Sequence, residues 1–103
     1  MTMREGVHVK VSVRLFTTLR ELAGRGEEIL EFTQKRVTVK EVLGELVKRH
    51  GKAFKDCLYN GRGEVQEYLQ LLVNGKSVSL LEELETRLRE GDEVAIVPPV
   101  GGG

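Results

Sequence analysis

The sequence carries no net charge, a single cysteine and only two prolines, and each shortage closes off a class of function. Lysine plus arginine equals aspartate plus glutamate at 16 each. No net field therefore concentrates polyanions, and binding to nucleic acid or to a membrane surface loses its usual electrostatic driver. One local basic run, Lys48, Arg49, His50, Lys52 and Lys55, reads as a solvated face around a helix end. Cys57 has no second cysteine to pair with, and no apolar run reaches the length of a signal peptide or a membrane span. The setting expected from these absences is a reducing cytoplasm. Catalytic constellations are missing as well. No Ser-His-Asp, paired-carboxylate or metal-ligand spacing stands out. His8 and His50 fall on a polar strand face and at a helix end, and Cys57 reads as inert packing near a helix end.

What is present is the pattern of one small domain. A chain of 103 residues, 40% hydrophobic, is long enough to bury roughly two-thirds of its unfolded surface without staples. Apolar residues at Val7, Val9, Val11, Val13 and Leu15, with polar ones between, have the period of a half-buried strand. Leu19, Leu22 and Ala23 predict a short helix over Thr17 to Gly24, and Ile29 to Phe32 a second strand able to pair with the first. Thr38 and Glu41 form a capping box before the stripe Val39, Val42, Leu43, Leu46 and Val47, and Gly51 is placed to close that helix in the left-handed conformation. Gly44 inside it either allows close packing or is a tolerated defect of about 1 kcal/mol relative to alanine. Ala53, Phe54 and Leu58 extend the apolar content toward Tyr59-Asn60-Gly61-Arg62-Gly63, a surface loop with no phosphate-binding spacing.

Asn74-Gly75 between Leu69–Val73 and Lys76–Val78 predicts a hairpin with a type I′ turn. Leu80, Leu81, Leu84 and Leu88 suggest a short helical or 3₁₀ segment. Gly91-Asp92 then turns the chain into a last strand, Glu93 to Val97. That strand is apolar on both faces, which fits a central position beside the first strand. The order suits an α+β domain, residues 1–97, with one main helix across a mixed sheet. A ferredoxin-like fold is the competitor, but Leu80 to Arg89 looks too short for its second helix.

Both prolines stand together at the end of the last strand. Pro98 and Pro99 lack backbone donors, so the ladder is expected to stop there and residues 98–103 to form a flexible tail. Pro98, Pro99, Val100, Gly101, Gly102 and Gly103 reach about 20 Å when extended, enough to enter a pocket on another protein. Glycines let a narrow channel close on the backbone. The competing account is a frayed end without function. On the sheet, Leu69, Leu71 and Val73 share one face, which leaves Leu72, Ala95 and Val97 on the face opposite the helix. They are a candidate contact surface, unless neighbouring side chains cover them.

Leu19-Arg20-Glu21-Leu22-Ala23-Gly24, the Val39 to His50 helix, Val73-Asn74-Gly75 and Gly91-Asp92-Glu93-Val94-Ala95-Ile96-Val97-Pro98-Pro99-Val100 before the final glycines cover nearly the whole chain. In these stretches it resembles the ubiquitin-like β-grasp sulfur carriers, specifically the small subunit of molybdopterin synthase and the small archaeal modifier proteins. The longer segment from Phe54 through Glu64 looks more like the archaeal branch. Gly101 departs from the pattern, since relatives carry a small residue with a side chain there. Thiamine-pathway carriers share the Gly-Gly end without the Pro-Pro.

The resemblance implies that a ubiquitin-activating-type adenylating enzyme, using ATP, joins AMP to the Gly103 carboxylate, which sulfur transfer then converts to a thiocarboxylate. The carrier itself would hold no cofactor or metal and no active site. Its partners would be that enzyme and the molybdopterin synthase large subunit, with Gly103, Gly102, Gly101, Val100, Pro99 and Pro98 entering the partner and Val97, Ala95 and Leu72 docking on it. Two other readings stand beside this one: a modifier joined through Gly103 to target-protein lysines, and a passive β-grasp interaction module.

Overall fold

The computed structural model describes residues 8–99. Val7 of the predicted alternation and Val100, Gly101, Gly102 and Gly103 of the predicted tail lie outside the described residues. Along the chain run β1 (Val9–Leu15), α1 (Thr17–Ala23), β2 (Glu27–Phe32), β3 (Val37–Thr38), α2 (Val39–His50), α3 (Lys52–Leu58), β4 (Gln70–Val73), β5 (Lys76–Ser77), β6 (Arg87–Leu88) and β7 (Glu93–Val97). Two 3₁₀ turns, Val78–Leu80 and Glu83–Glu85, fill the stretch between β5 and β6.

Five strands make one mixed sheet in the order β2-β1-β7-β4-β5. β1 and β2 pair antiparallel, β1 and β7 pair parallel, and β7 pairs antiparallel with β4. The last strand is therefore central, as its two apolar faces predict. Alternation decides which side of each strand is buried: Val9, Val11, Val13 and Leu15 of β1 and Val94 and Ile96 of β7 turn inward. They share one core with Val42, Leu43 and Leu46 of α2 and with Phe54 and Leu58 of α3. This is the β-grasp arrangement expected for the chain.

The helix α2 starts where the capping box predicts, with the Thr38 backbone N–H donating to Glu41 Oε1 at 2.8 Å. Its end differs from expectation. Gly51 has a positive φ of 87°, but ψ is −165°, so the chain leaves extended and enters α3 at once. Gly44 is exposed, and a Cβ built there meets nothing within 4 Å, which makes it the tolerated defect rather than a packing device.

Three features depart from the sequence reading. The apolar stretch with Ala53, Phe54 and Leu58, read only as leading toward a surface loop, forms the helix α3 beside the predicted α1 and α2. Arg87–Leu88, read as the end of a helical segment, is instead a strand paired with β3 in a separate two-stranded ladder. The basic run at the end of α2 is only partly solvated. In β2 the inward positions are Glu28, Leu30 and Phe32, so Ile29 faces out at 56% exposure while the Glu28 side chain is 5% exposed. His50 Nε2 lies 2.7 Å from Glu28 Oε2, and Arg49 Nη1 lies 3.9 Å from Glu28 Oε1. The His50 contact is short without being an aligned hydrogen bond, because neither His50 Nε2 nor Glu28 Oε1 has a hydrogen-bond partner among the described residues.

Candidate functional site: the root of the tail and the outer sheet face

The turn before β7 is built to aim that strand. Asn74 and Gly75 take the positive φ angles of 52° and 84° that a type I′ turn requires. Asn74 Oδ1 accepts from the Glu93 backbone N–H at 3.0 Å, and Asn74 Nδ2 donates to Asp92 Oδ1 at 3.1 Å. Asp92 Oδ2 accepts from the Arg89 N–H at 2.8 Å, and the Asp92 carbonyl accepts from the Ser12 N–H at 3.0 Å. Hairpin, turn and first strand are thus tied to the start of β7. The five residues that follow run straight through the middle of the sheet to its opposite rim.

The ladder ends at Val97, as the two prolines predict; Pro98 is half-buried and Pro99 is exposed. Ala95 and Val97 of β7 and Leu72 of β4 are each half-buried on the face away from the core, so neighbouring chains cover them only in part. The register sets Leu72 opposite Ala95 and Gln70 opposite Val97. Arg14 stands on the other side of Ala95 and donates through Nε to Glu93 Oε2 at 2.8 Å. That exposed pair leaves the apolar strip open toward the tail.

The sequence reading missed Phe16. It extends β1 by one residue in an extended conformation, with φ −133° and ψ 155°. Leu15 lies opposite Ile96 in the parallel pair, and Phe16 is the next residue at the tail end of the sheet, 36% exposed. An aromatic residue at an outward position of an otherwise polar strand face was the available signal. Phe16 also lines a cavity of about 120 Å³ with Leu19, Cys57, Tyr68, Leu69 and Pro98 at the root of the tail. Cys57 is half-buried there, in keeping with a packing role.

Chemistry-bearing groups are sparse. Among the described residues no group of three or more His, Cys, Asp or Glu side chains could hold a metal ion. No helix among them is long and apolar enough to cross a membrane. His8 Nδ1 contacts Glu31 Oε2 at 2.9 Å on the exposed edge strand, remote from the tail root. Burial pushes the Tyr59 phenol above its ordinary value, further from any role in proton transfer near neutral pH. The arrangement offers the end of a central strand at Val97 and a half-buried apolar strip beside it.

Comparison with known proteins agrees with this geometry. The profile of the ThiS family matches residues 13–103. Small archaeal modifier protein 3 of Haloferax volcanii is 32% identical over 99 residues, covering 92% of this chain and all of that protein. The molybdopterin synthase sulfur carrier subunit of Drosophila melanogaster is 31% identical over 102 residues, covering 96% of this chain and 97% of that one. The crystal structure of SAMP1 from Haloferax volcanii superposes with a TM-score of 0.77 at 30% identity, covering 91% of this chain and 99% of that one. With a family match across most of its length and a mixed sheet built around its last strand, this chain belongs to the ThiS family of ubiquitin-like sulfur carriers.

Proposed function

We propose that the protein is the sulfur-donating small subunit of a molybdopterin synthase, acting in the cytoplasm through the carboxyl group of Gly103. The observation that carries this reading is the end of the central strand β7 at Val97, immediately before Pro98 and Pro99, with Gly101, Gly102 and Gly103 following in the sequence. The full-length likeness to a molybdopterin synthase sulfur carrier subunit supports the same reading. In the proposed sequence the Gly103 carboxylate attacks the α-phosphorus of ATP on an activating enzyme and releases pyrophosphate. A sulfide-level donor, HS⁻, then attacks the acyl carbon, AMP leaves, and a thiocarboxylate remains. The thiocarboxylate is the stronger nucleophile for the same reason that thiolates outperform alkoxides. It passes its sulfur to the substrate held by the synthase large subunit.

ATP, catalytic acids and bases, and metal ions belong to the partners in this scheme. The carrier contributes reach and recognition. Gly101, Gly102 and Gly103 thread the channel, and Val100, Pro99 and Pro98 span its mouth. Val97, Ala95 and Leu72, joined by Phe16, rest on the partner surface as a small hydrophobic anchor.

A second reading, a modifier joined through Gly103 to target lysines, is favoured by the likeness to small archaeal modifier proteins over nearly the whole chain. Both readings share the activation step, so the test has two parts. Incubation with ATP, an activating enzyme and a sulfur source should raise the intact mass by one oxygen-to-sulfur exchange, and deletion of Gly102 and Gly103 should abolish the rise. Equal sulfuration of the truncated protein would refute the tail chemistry. Molybdopterin formation on adding a synthase large subunit supports the carrier reading. Lysine adducts without molybdopterin formation support the modifier.

A further inference from the structure

At the end of β7 away from the tail, the fold gathers cations that are scattered along the chain. Antiparallel pairing sets Thr38 opposite Arg87 and Val37 opposite Leu88, with Arg36 and Arg89 the next residue of each strand's chain beyond the ladder. Residues two apart on a strand share a face, so Arg87 and Arg89 point the same way. Two open grooves meet at this pair. One, of about 380 Å³, is lined by Lys35, Arg87 and Arg89 together with Glu90. The other, of about 490 Å³, is lined by Lys76, Arg87 and Arg89 beside Asn74 and Leu81.

Lys35, Arg36, Lys76, Arg87 and Arg89 are all exposed, and none makes an ion pair among the described residues. Glu90 in the first groove and the adjoining Asp92 are both engaged by backbone donors, as is Glu41 at the Thr38 N–H. Glu90 Oε1 accepts from the Lys10 N–H at 2.8 Å, and Asp92 accepts from the Arg89 N–H and from Asn74. Five exposed cations therefore gather at one end of a protein whose formal net charge is zero. Elsewhere Arg14, Arg49 and Lys52 are matched by Glu93, Glu45 and Asp56, so what marks this cluster is the gathering of its cations around two shared grooves.

We propose that Lys35, Lys76, Arg87 and Arg89 form a docking site for an acidic segment of a partner protein, separate from the surface that delivers the tail. Charge complementarity selects the occupant. Guanidinium groups side by side match carboxylates bidentately. The grooves are open along their length and suit an extended segment better than an enclosed small anion. A long nucleic acid is disfavoured, because the whole molecule offers it no attractive net field. β7 separates this patch from Pro98 by about 16 Å of strand, so a partner held here leaves the tail and the outer face accessible to another.

The test titrates a glutamate- and aspartate-rich peptide into the full chain, at low and at physiological salt, and follows backbone amide shifts and peptide anisotropy. The expected shifts map to Lys35, Lys76, Arg87 and Arg89. Arg87→Glu with Arg89→Glu should weaken binding by about tenfold or more, while Lys52→Glu with Lys55→Glu on α3 should leave it unchanged. Thiocarboxylate formation at Gly103 should be unaffected, which keeps this result independent of the proposed function. If the reversal pair fails to fold, Arg87→Gln with Arg89→Gln takes its place. Equal weakening by both pairs, no binding at low salt, or tighter binding of a single-stranded RNA than of the peptide would each overturn the proposal.

Discussion

Replacing Gly44 with alanine should stabilise this protein, and the structure supplies the size of the effect. Gly44 sits in the middle of α2 on its exposed face, two residues before the buried Leu46 and next to the buried Leu43. A Cβ added there meets nothing within 4 Å, so the substitution brings no clash and fills no cavity. What remains is the backbone term, about 0.8 to 1 kcal/mol in favour of alanine within a helix, because glycine loses more conformational freedom on folding. At about 2.1 cal/mol/K per residue the unfolding entropy of a chain this size is roughly 0.2 kcal/mol/K, so Tm should rise by about 4 to 5 °C. Calorimetry or circular dichroism melts of Gly44→Ala against the parent protein measure this directly. An unchanged or lowered Tm would refute the reasoning, since it would mean that the helix face at Gly44 is not open. Loss of partner binding with a raised Tm would instead assign that face to an interface.

Three further outcomes follow from burial and contact. Leu43→Ala and Leu46→Ala, each fully buried on α2, should each cost about 2 to 5 kcal/mol in a denaturant titration. His50→Ala removes the side chain closest to the buried Glu28 carboxyl and should cost about 1 to 3 kcal/mol by leaving that polar group without its neighbour, with Arg49 still within 3.9 Å. The double replacement Glu28→Leu with His50→Leu should recover most of that loss, and a double variant no more stable than His50→Ala would show that the pair is not the source of the cost. Val97→Asp should weaken binding to the activating enzyme or synthase by about tenfold. Lys48→Asp on the far side serves as its control, and equal affinity of a folded Val97→Asp protein would exclude the outer face as a docking surface.

Local chemistry along the chain was enough to determine several parts of this protein. The strict alternation of Val9 to Leu15 specifies one buried face whatever the strand pairs with. Thr38 and Glu41 start α2, and Asn74-Gly75 turns the hairpin, because the groups that interact lie within four residues of each other. The apolar character of both faces of Glu93–Val97 already implied a central strand. Only the tertiary structure decided which of those faces is core. Val94 and Ile96 turn inward because β7 pairs in parallel register with Val13 and Leu15, a contact some eighty residues away in sequence. The pairing of Val37-Thr38 with Arg87-Leu88 was hidden for the same reason, since two-residue strands are too short to show a period. Glu28 and Ile29 exchanged the places that hydrophobicity assigns them. The register of β2 is fixed by six pairs with β1, and the end of α2 brings His50 and Arg49 over the one inward position that carries a charge. Short-range hydrogen bonds and alternation are written locally. Register, facing and charge pairing arise when distant segments meet, and they decide which residues this carrier shows to a partner.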